Sequence, residues 1–211
     1  MNIIDLCFPV TGSSAPRDHG YPLYSALCRT TPRLHEARWL GVHPLSGRVA
    51  NDVIMFGSHS ELQLRLPAEC IPIALPLAGA RLELAGSALV LGAPSVRALQ
   101  PRPSLDARTV LLKLTSPPTR ESDEEGRTVL DNGAMAERYR AELHRQLKAL
   151  GIESAPELCG RRSVTVGGKR IVGYSVRVSG LSADQSLALQ AQGLGGKRRM
   201  GCGIFRATRG A

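Results

Sequence analysis

The stretch GLGGKRRMGCGIF, residues 193–205, places five glycines around the consecutive cations Lys197, Arg198 and Arg199. Glycine lets a backbone approach a ligand closely, and cations neutralise phosphate. A P-loop needs Ser or Thr after its lysine, and a dinucleotide-binding loop needs a third glycine three residues after the second and a helix that follows. The stretch meets neither requirement. It therefore predicts a grip on a polynucleotide backbone.

The chain also contains five histidines, which are His19, His35, His43, His59 and His144. If the bound polynucleotide is RNA and is cut by its own ribose 2′-hydroxyl, one proton must leave the nucleophile and another must reach the 5′-oxygen. Imidazole titrates nearest neutrality and suits both transfers. The negative charge that develops on the phosphorus also needs a fixed cation or hydrogen-bond donor, a role open to Tyr24, Arg38 or the glycine-rich loop.

The elements that must position these residues begin with a strand. Residues 2–10 have the pattern of a buried strand, a short helix runs from Pro22 to before Pro32, and ELQLRL alternates with period two from Glu61. A short apolar segment interrupted by prolines then precedes two further β-like stretches, ARLEL and SALVLG. The first half therefore predicts an approximate βαββαβ order.

The second half predicts the same order. ARTVLLKL is strongly β-prone, residues 137–148 have apolar side chains at helical spacing, and Gly167-Gly168 joins SVTV to KRIVGYSVRV as a tight hairpin. Ser182 and Gln185 form a capping-box pattern for a helix, and MGCGIF predicts a last strand. We therefore expect an α+β fold of two tandem ferredoxin-like, RRM-like domains, the first at residues 1–100 and the second at residues 105–211.

The composition favours a polyanionic partner. Of the 211 residues, 27 are Lys or Arg and 18 are Asp or Glu, so the formal net charge is +9. Each cation that meets a phosphate releases counterions, although a solvated basic surface is the alternative. The five cysteines include no CxxC pair, which predicts free thiols and no zinc site. No signal peptide or membrane span is evident, so we expect a cytoplasmic protein without a membrane partner.

Two segments carry a resemblance to a known family. The ending GLSADQSLALQAQGLGGKRRMGCGIF resembles the glycine-rich loop of the RAMP superfamily of CRISPR-associated proteins. The segment LYSALCRTTPRLHEARWLG points, within that superfamily, to the repeat-specific endoribonucleases that mature CRISPR RNA. The resemblance covers nearly the whole chain. It implies cleavage of precursor CRISPR RNA within each repeat, without a metal or other cofactor, leaving a 2′,3′-cyclic phosphate and a 5′-hydroxyl.

The same resemblance implies a catalytic histidine in or just after the first helix. LHE, at residues 34–36, is similar to the histidine-bearing segment of some members, so His35 is predicted to be the general acid or base, and Tyr24 is similar to a tyrosine on the preceding helix. Some members have a lysine shortly after the histidine. This sequence has none there, and Arg38 or Arg48 is predicted to replace it.

The other histidines have ordinary structural interpretations. His19 could cap the first helix, His43 precedes Pro44 in a predicted turn, and His59 lies between two serines. His144 lies on a helix whose polar face is already cationic. His19 and His43 stay open as alternatives to His35.

Two basic regions are predicted to bind RNA while cleavage occurs elsewhere. The first is the glycine-rich stretch, with the candidate residues Gly193, Gly195, Gly196, Lys197, Arg198 and Arg199. The second is the helix at residues 137–148, where Arg138 and Arg145 lie off the apolar face; a solvated face with Glu142 paired to Arg145 is the alternative. The expected partners are CRISPR repeat RNA, mature guide RNA and other subunits of an effector complex. The rival function is a non-catalytic RAMP subunit that binds guide RNA and scaffolds such a complex.

Overall fold

The computed structural model describes residues 2–114, 120–122, 128–130 and 132–208. The helices are α1 (Gly20–Thr30), α2 (Ile71–Ala74), α3 (Asn132–Lys148) and α4 (Ala183–Gln192). The strands are β1 (Ile3–Gly12), β2 (Ser14–Pro16), β3 (Gly41–Val42), β4 (Arg48–Ala50), β5 (Val53–Met55), β6 (Glu61–Pro67), β7 (Arg81–Leu84), β8 (Ser87–Leu91), β9 (Ser95–Ala98), β10 (Ser104–Val110), β11 (Arg120–Ser122), β12 (Thr128–Leu130), β13 (Glu157–Val166), β14 (Lys169–Ser179) and β15 (Arg206–Ala207).

Strand β1 is the centre of the first large sheet. It pairs antiparallel with β6 along one side, with Ile3 opposite Pro67 and Pro9 opposite Glu61. On its other side it pairs with β9 and then with β8. The strand order is β3-β6-β1-β8-β7. With α1 after β1 and α2 after β6, this is the βαββαβ arrangement of a ferredoxin-like unit.

The second large sheet repeats this arrangement more regularly. Its order is β13-β14-β10-β15, all antiparallel, with α3 after β10 and α4 after β14. In both sheets the first strand of the unit lies between the third and the fourth. The predicted α+β fold with two tandem ferredoxin-like units is therefore confirmed. The expected boundary at residues 100–105 falls between the last strand of the first sheet and the first strand of the second, and the division into two domains with those bounds stays a prediction.

The best local predictions depend on short-range chemistry. Gly167 and Gly168 have φ of 56° and 77° and join β13 to β14, with Val166 opposite Lys169. Ser182 accepts from the Gln185 amide, and the Gln185 side chain accepts from the Ser182 amide, which completes the capping box of α4. Both elements are confirmed because neighbouring residues determine them.

Three expectations need correction. The apolar segment after β6 contains only the four-residue α2 between two 3₁₀ turns, because its prolines lack amide donors. The β-prone run 107–114 is a strand only as far as Val110. MGCGIF is not a strand, because Gly201 and Gly203 have φ of 80° and 68°, outside the extended region, and the last strand is only the two-residue β15.

Each half has its own hydrophobic core. The first core packs α1 on the β1 sheet and includes Phe8, Leu27 and Leu64. The second packs α3 and α4 on the β10 sheet and includes Leu143 and Phe205. Among the described residues, no helix has the length and apolar character needed to cross a membrane. The surfaces where the two halves meet lie between these cores, and they carry the polar contacts described below.

Candidate functional site

His35 lies at a contact between the two halves, together with Tyr24 and Arg199. We name these three residues the exposed junction. His35 ends the short 3₁₀ turn that follows α1, and its side chain is exposed. Its backbone carbonyl accepts hydrogen bonds from the Tyr24 hydroxyl, at 3.1 Å, and from Nη1 of Arg199. Two side chains, one from each half, therefore hold the backbone of the predicted catalytic histidine.

The aromatic ring of Tyr24 lies near both other members. The His35 ring lies 6.4 Å from it and is tilted by 18°, while the guanidinium carbon of Arg199 lies 5.1 Å from the ring centre. This is a cation–π distance. Burial and the nearby Cys28 raise the pKa of Tyr24 to about 12. Because its hydroxyl donates a hydrogen bond to the His35 carbonyl, Tyr24 has the geometry of a residue that positions His35.

His19 has a structural environment. Its Nδ1 lies 2.8 Å from the Pro16 carbonyl oxygen, and its Nε2 lies 2.9 Å from the Leu45 amide nitrogen. A carbonyl can only accept and an amide N–H can only donate, so both contacts together require the neutral ring with its proton on Nδ1. Burial also lowers the pKa of His19, which favours the same neutral ring. Both ring nitrogens are thus occupied within the protein.

His43 is also buried, beside Asp5 and Arg65. Its Nε2 lies 3.4 Å from Asp5 Oδ1 and has no well-formed hydrogen bond among the described residues. Burial lowers the pKa of His43. Burial alone would raise the pKa of Asp5, but contacts with His43 and Arg65 reverse this and hold it well below its usual range. Of the three histidines left open by the sequence, only His35 presents its side chain to solvent.

Arg65 joins the halves in the interior. Its side chain is 2% exposed. It forms a bidentate pair with Asp5, both N···O distances being 2.8 Å, and Nη1 donates to the carbonyls of Gln190 and Phe205 at 2.9 and 2.6 Å. We name these four residues the buried junction. It fixes the C-terminal end of α4, and hence the start of the glycine-rich loop, against the first sheet.

The glycine-rich loop, residues 193–203, is bonded to its own half. The amides of the predicted RNA-binding glycines Gly193, Gly195 and Gly196 donate to Leu189 O, Gln146 Oε1 and Leu111 O, respectively. A Cβ on Gly195 would lie 2.3 Å from Leu111 O, so close backbone packing requires glycine there. These amides therefore serve the fold. RNA contact by the glycines stays a prediction, and only Gly196 has open space beside it.

The three consecutive cations of this loop lie in three environments. Lys197 is exposed. Arg198 turns inward, where Nη2 donates to Ala191 O at 2.8 Å and the buried Nε has no hydrogen-bond partner among the described residues. Burial, and then the charge of Arg65, lower the pKa of Arg198. Arg199 belongs to the exposed junction. RNA contact stays a prediction for each, but the structure does not present them as one patch.

The predicted cations of α3 lie on a helix that contacts the same loop through Gln146. Nε and Nη2 of Arg145 each lie 2.7 Å from a carboxylate oxygen of Glu142, and this contact lowers the pKa of Glu142 to about 2. Gln146 connects that carboxylate to the loop, since it donates to Glu142 and accepts from the Gly195 amide. The ion pair named as the alternative is thus present. RNA contact by Arg145 and by the half-buried Arg138 stays a prediction.

A cleft that the sequence did not reveal opens between the start of α1 and the β13–β14 hairpin. Its volume is about 630 Å³, and the arginines along its wall are Arg17, Arg108, Arg161, Arg162 and Arg170. We name it the arginine cleft. Asp18 and Asp52 also line it. Burial lowers the pKa of Arg108, and the neighbouring charges of Arg17 and Arg162 lower it further. Such crowding of like charges favours an anionic ligand.

The arginine cleft and the exposed junction adjoin each other. Leu23 and Met200 line the cleft, and they precede Tyr24 and follow Arg199 in the chain. The predicted catalytic cation Arg38 is exposed three residues beyond His35 and makes no hydrogen bond or ion pair within the described part of the chain. Arg48 begins β4 and is also exposed. The described residues contain no cluster of three His, Cys, Asp or Glu side chains suited to a metal ion.

Solved structures share this fold over nearly the whole chain. A structure described as CRISPR associated protein Cas6 has a TM-score of 0.63 with 16% identity, covering 98% of this chain and all of that one. A Cas6-related protein from Pyrococcus furiosus has a TM-score of 0.66 with 14% identity, covering 99% of this chain and all of that one. A RAMP protein binding different RNA substrates has a TM-score of 0.60 with 13% identity, covering 98% and 99%.

The sequence comparisons are more specific. A curated relative from Myxococcus xanthus strain DK1622, the CRISPR-associated endonuclease Cas6, is 41% identical over 205 residues, which cover 97% of this chain and 81% of the relative. The family model Cas6, described as Cas6 Crispr, matches residues 4–210. The match includes both ferredoxin-like units, the exposed junction and the arginine cleft. The chain therefore belongs to the Cas6 family of CRISPR-associated endonucleases.

Proposed function

We propose that this protein is a metal-independent endoribonuclease that binds the repeats of precursor CRISPR RNA and cuts each at one phosphodiester. The observation that carries the proposal is the position of His35, exposed beside Tyr24 and Arg199 and next to a cleft lined by five arginines. The cleft offers phosphate-binding charge, and the histidine offers proton transfer near neutral pH. The name of the relative from Myxococcus xanthus supports nuclease activity.

In the proposed reaction the ribose 2′-oxygen attacks the adjacent phosphorus while the bond from phosphorus to the 5′-oxygen breaks. One proton leaves the 2′-hydroxyl and one reaches the 5′-oxygen, and His35 performs one of these transfers as general acid or base. The products are a 2′,3′-cyclic phosphate and a 5′-hydroxyl. Tyr24 holds the His35 backbone through its carbonyl, and Arg38 adds positive charge on the same surface.

In this proposal the RNA backbone follows the arginine cleft toward His35. The cleft arginines come from the loop after β2 and from strands β10, β13 and β14, so an RNA strand there contacts both halves. Lys197 in the glycine-rich loop and Arg145 on α3 are further exposed cations that the RNA contacts in this proposal. Aromatic residues make up only 4% of the chain, so phosphate contacts and RNA shape contribute more to binding than base stacking does.

The wider setting follows from this role. We propose that the protein acts in the cytoplasm, where its transcript is made, and that it keeps the mature guide RNA as it joins other subunits of an effector complex. Co-purification of the guide RNA and of those subunits with the tagged protein from its native cells would support retention. Recovery of the protein without RNA would oppose it.

The test of cleavage uses the synthetic repeat RNA of the CRISPR array beside the gene, with EDTA present. We expect the wild-type protein to cut at one position and to leave a terminus that resists phosphatase until the cyclic phosphate is opened. A 2′-deoxy substitution before the cut should abolish cleavage. His35→Ala should lower the rate by about 10²- to 10⁴-fold, the usual contribution of a general acid or base.

His59→Ala is the matched control, because this exposed histidine lies outside the exposed junction and the cleft. It should cut at the wild-type rate. Undiminished cleavage by His35→Ala would contradict the assignment of that residue. Tight binding of repeat RNA without any cleavage, with or without added divalent metal, would instead establish the rival function, a RAMP subunit that only binds guide RNA.

A further inference from the structure

The fixed cation of the exposed junction is contributed by the C-terminal half. Arg199 lies in the 3₁₀ turn Arg198–Met200, yet its Nη1 donates to the carbonyl of His35, which is in the other half. Its guanidinium carbon and the His35 ring both lie within 6.4 Å of the centre of the Tyr24 ring. The sequence predicted RNA binding for this residue and left stabilisation of the developing charge open to its loop as a whole. The structure places it beside the candidate catalytic histidine.

The turn that presents Arg199 is held rigidly. Lys197 and Gly201, which flank it, both have left-handed backbone conformations, with φ of 65° and 80°. A Cβ on Gly20, at the start of α1, would lie 2.3 Å from Met200 O, so the backbone of the turn packs directly on α1. The buried Arg198 ties the same turn to the end of α4. Arg199 therefore has little freedom to leave His35.

Arg199 also has hydrogen-bonding capacity left over. A guanidinium has five N–H donors, and within the described residues only Nη1 of Arg199 has a hydrogen-bond partner. Its side chain is half-buried, so a ligand phosphate can reach the remaining donors. Arg38, the cation predicted for this role, is exposed and makes no hydrogen bond or ion pair within the described part of the chain. A donor fixed before the reaction stabilises developing charge better than a mobile one.

We propose that Arg199 is a catalytic residue: it donates hydrogen bonds to the non-bridging oxygens of the scissile phosphate as the phosphorane forms. This inference rests on the proposed cleavage and names a further group for it. In the step, the bond from the 2′-oxygen to phosphorus forms and the bond from phosphorus to the 5′-oxygen breaks. Arg199 gives up no proton and stabilises the additional negative charge.

The test measures single-turnover cleavage of repeat RNA at saturating protein, with the dissociation constant measured separately on RNA that carries a 2′-deoxy substitution at the cut. Arg199→Ala should slow cleavage by about 10²- to 10³-fold, as loss of a comparable donor does. The dissociation constant should rise by less than about tenfold, since one phosphate contact is lost. Arg199→Lys should recover part of the rate, because lysine keeps the charge without the fork of donors.

Arg33→Ala is the control for loss of charge alone. Arg33 is an exposed cation on the turn that carries His35, and it belongs to none of the sites described above. Its variant should cut at the wild-type rate at saturation. Thermal unfolding of all three variants checks that each is folded at the assay temperature.

A phosphorothioate at the scissile phosphate separates contact with substrate from support of His35. Sulfur weakens a hydrogen bond to the substituted position, so one diastereomer should slow the wild-type protein, and Arg199→Ala should lose most of that slowing. Equal saturated rates for wild type and Arg199→Ala would overturn the inference alone, as would a slow variant with unchanged sensitivity to sulfur. Absence of cleavage by the wild-type protein would overturn the proposed function, and this inference with it.

Discussion

The two halves of the chain meet at two arginines with opposite environments. At the buried junction, Arg65 is 2% exposed, and its donors are bonded to the Asp5 carboxylate and to the carbonyls of Gln190 and Phe205. At the exposed junction, Arg199 bonds one carbonyl and keeps donors open to solvent. The number of satisfied donors distinguishes them. A buried arginine with four hydrogen bonds to the protein holds the fold, whereas a fixed arginine with one such bond is suited to bind a ligand.

The contacts of Arg65 also explain why its charge is tolerated in the interior. Isolated burial of a guanidinium is unfavourable, but Arg65 is paired bidentately and it faces the C-terminal end of α4, where the helix dipole is negative. Arg198 reaches the same end of α4 through Ala191 O. The position of the glycine-rich loop, and of Arg199 with it, therefore depends on interior contacts that never meet RNA.

The largest expected effect tests the buried junction. Arg65→Ala should lower the free energy of unfolding by roughly 3–5 kcal/mol, because it leaves the Asp5 carboxylate and two carbonyls without their partner. Urea unfolding followed by circular dichroism measures this. Arg81→Ala is the control, because Arg81 is an exposed arginine whose pair with Glu83 lies on the surface. Equal stability of the two variants would show that the contacts of Arg65 do not hold the fold.

A second prediction concerns the arginine cleft, where the effect should fall on RNA affinity. The double variant Arg108→Ala, Arg162→Ala should raise the dissociation constant for repeat RNA by about 10- to 100-fold. The slope of its logarithm against the logarithm of salt concentration should fall by about two, one for each lost phosphate contact. The physical reason is the loss of two cations from a crowded positive wall. Fluorescence anisotropy over a range of salt concentrations measures both quantities.

The free energy of unfolding of that double variant tests whether the cleft arginines, unlike Arg65, contribute nothing to the stability of the fold. Since the cleft cations repel one another, their removal should leave stability unchanged or slightly higher. A marked loss of stability would show that the cleft, like the buried junction, serves the fold. Unchanged affinity would remove the cleft from the proposed RNA path.

The third prediction uses pH on the buried histidines. Burial lowers the pKa of His19 and His43 in the folded protein, so below about pH 6.5 the unfolded chain binds more protons than the folded one. Stability should therefore fall as pH falls from about 7.5 to 5.5, by roughly 1–2 kcal/mol. Urea unfolding at several pH values measures it. His19→Ala should be less stable at neutral pH and should depend less on pH, and an unchanged dependence would contradict the account of His19.

The smallest effects distinguish neighbouring cations of the loop. Arg198→Ala should lower the free energy of unfolding by roughly 1 kcal/mol, because it removes the bond to Ala191 O from a mostly buried site. Lys197→Ala should leave the melting temperature unchanged and weaken RNA binding, since Lys197 is exposed. Thermal unfolding and anisotropy of the two variants give the comparison. The reverse pattern would show that the orientations described for them are wrong.

Sequence reasoning was most successful where neighbours in the chain decide the outcome. The Gly167-Gly168 hairpin and the Ser182 capping box depend on a few adjacent residues, and both are present. MGCGIF failed as a strand for the opposite reason, because the Gly203 amide donates to the carbonyl of Thr109, which is distant in the sequence. The arginine cleft could not be predicted, because Arg17, Arg108 and Arg162 become neighbours only when two sheets meet.

The candidate site, too, was predicted in part from the sequence and decided in part by tertiary packing. The order of apolar and turn-forming residues was enough to predict two ferredoxin-like units, and the segments around His35 and the glycine-rich loop were enough to indicate the family. The sequence alone did not separate His35 from His19 and His43, since burial depends on packing. It also treated Lys197, Arg198 and Arg199 as one patch. Only the tertiary structure turned one outward, one inward and one toward His35, because Arg198 is bonded to the end of α4 and Arg199 to the backbone of the other half.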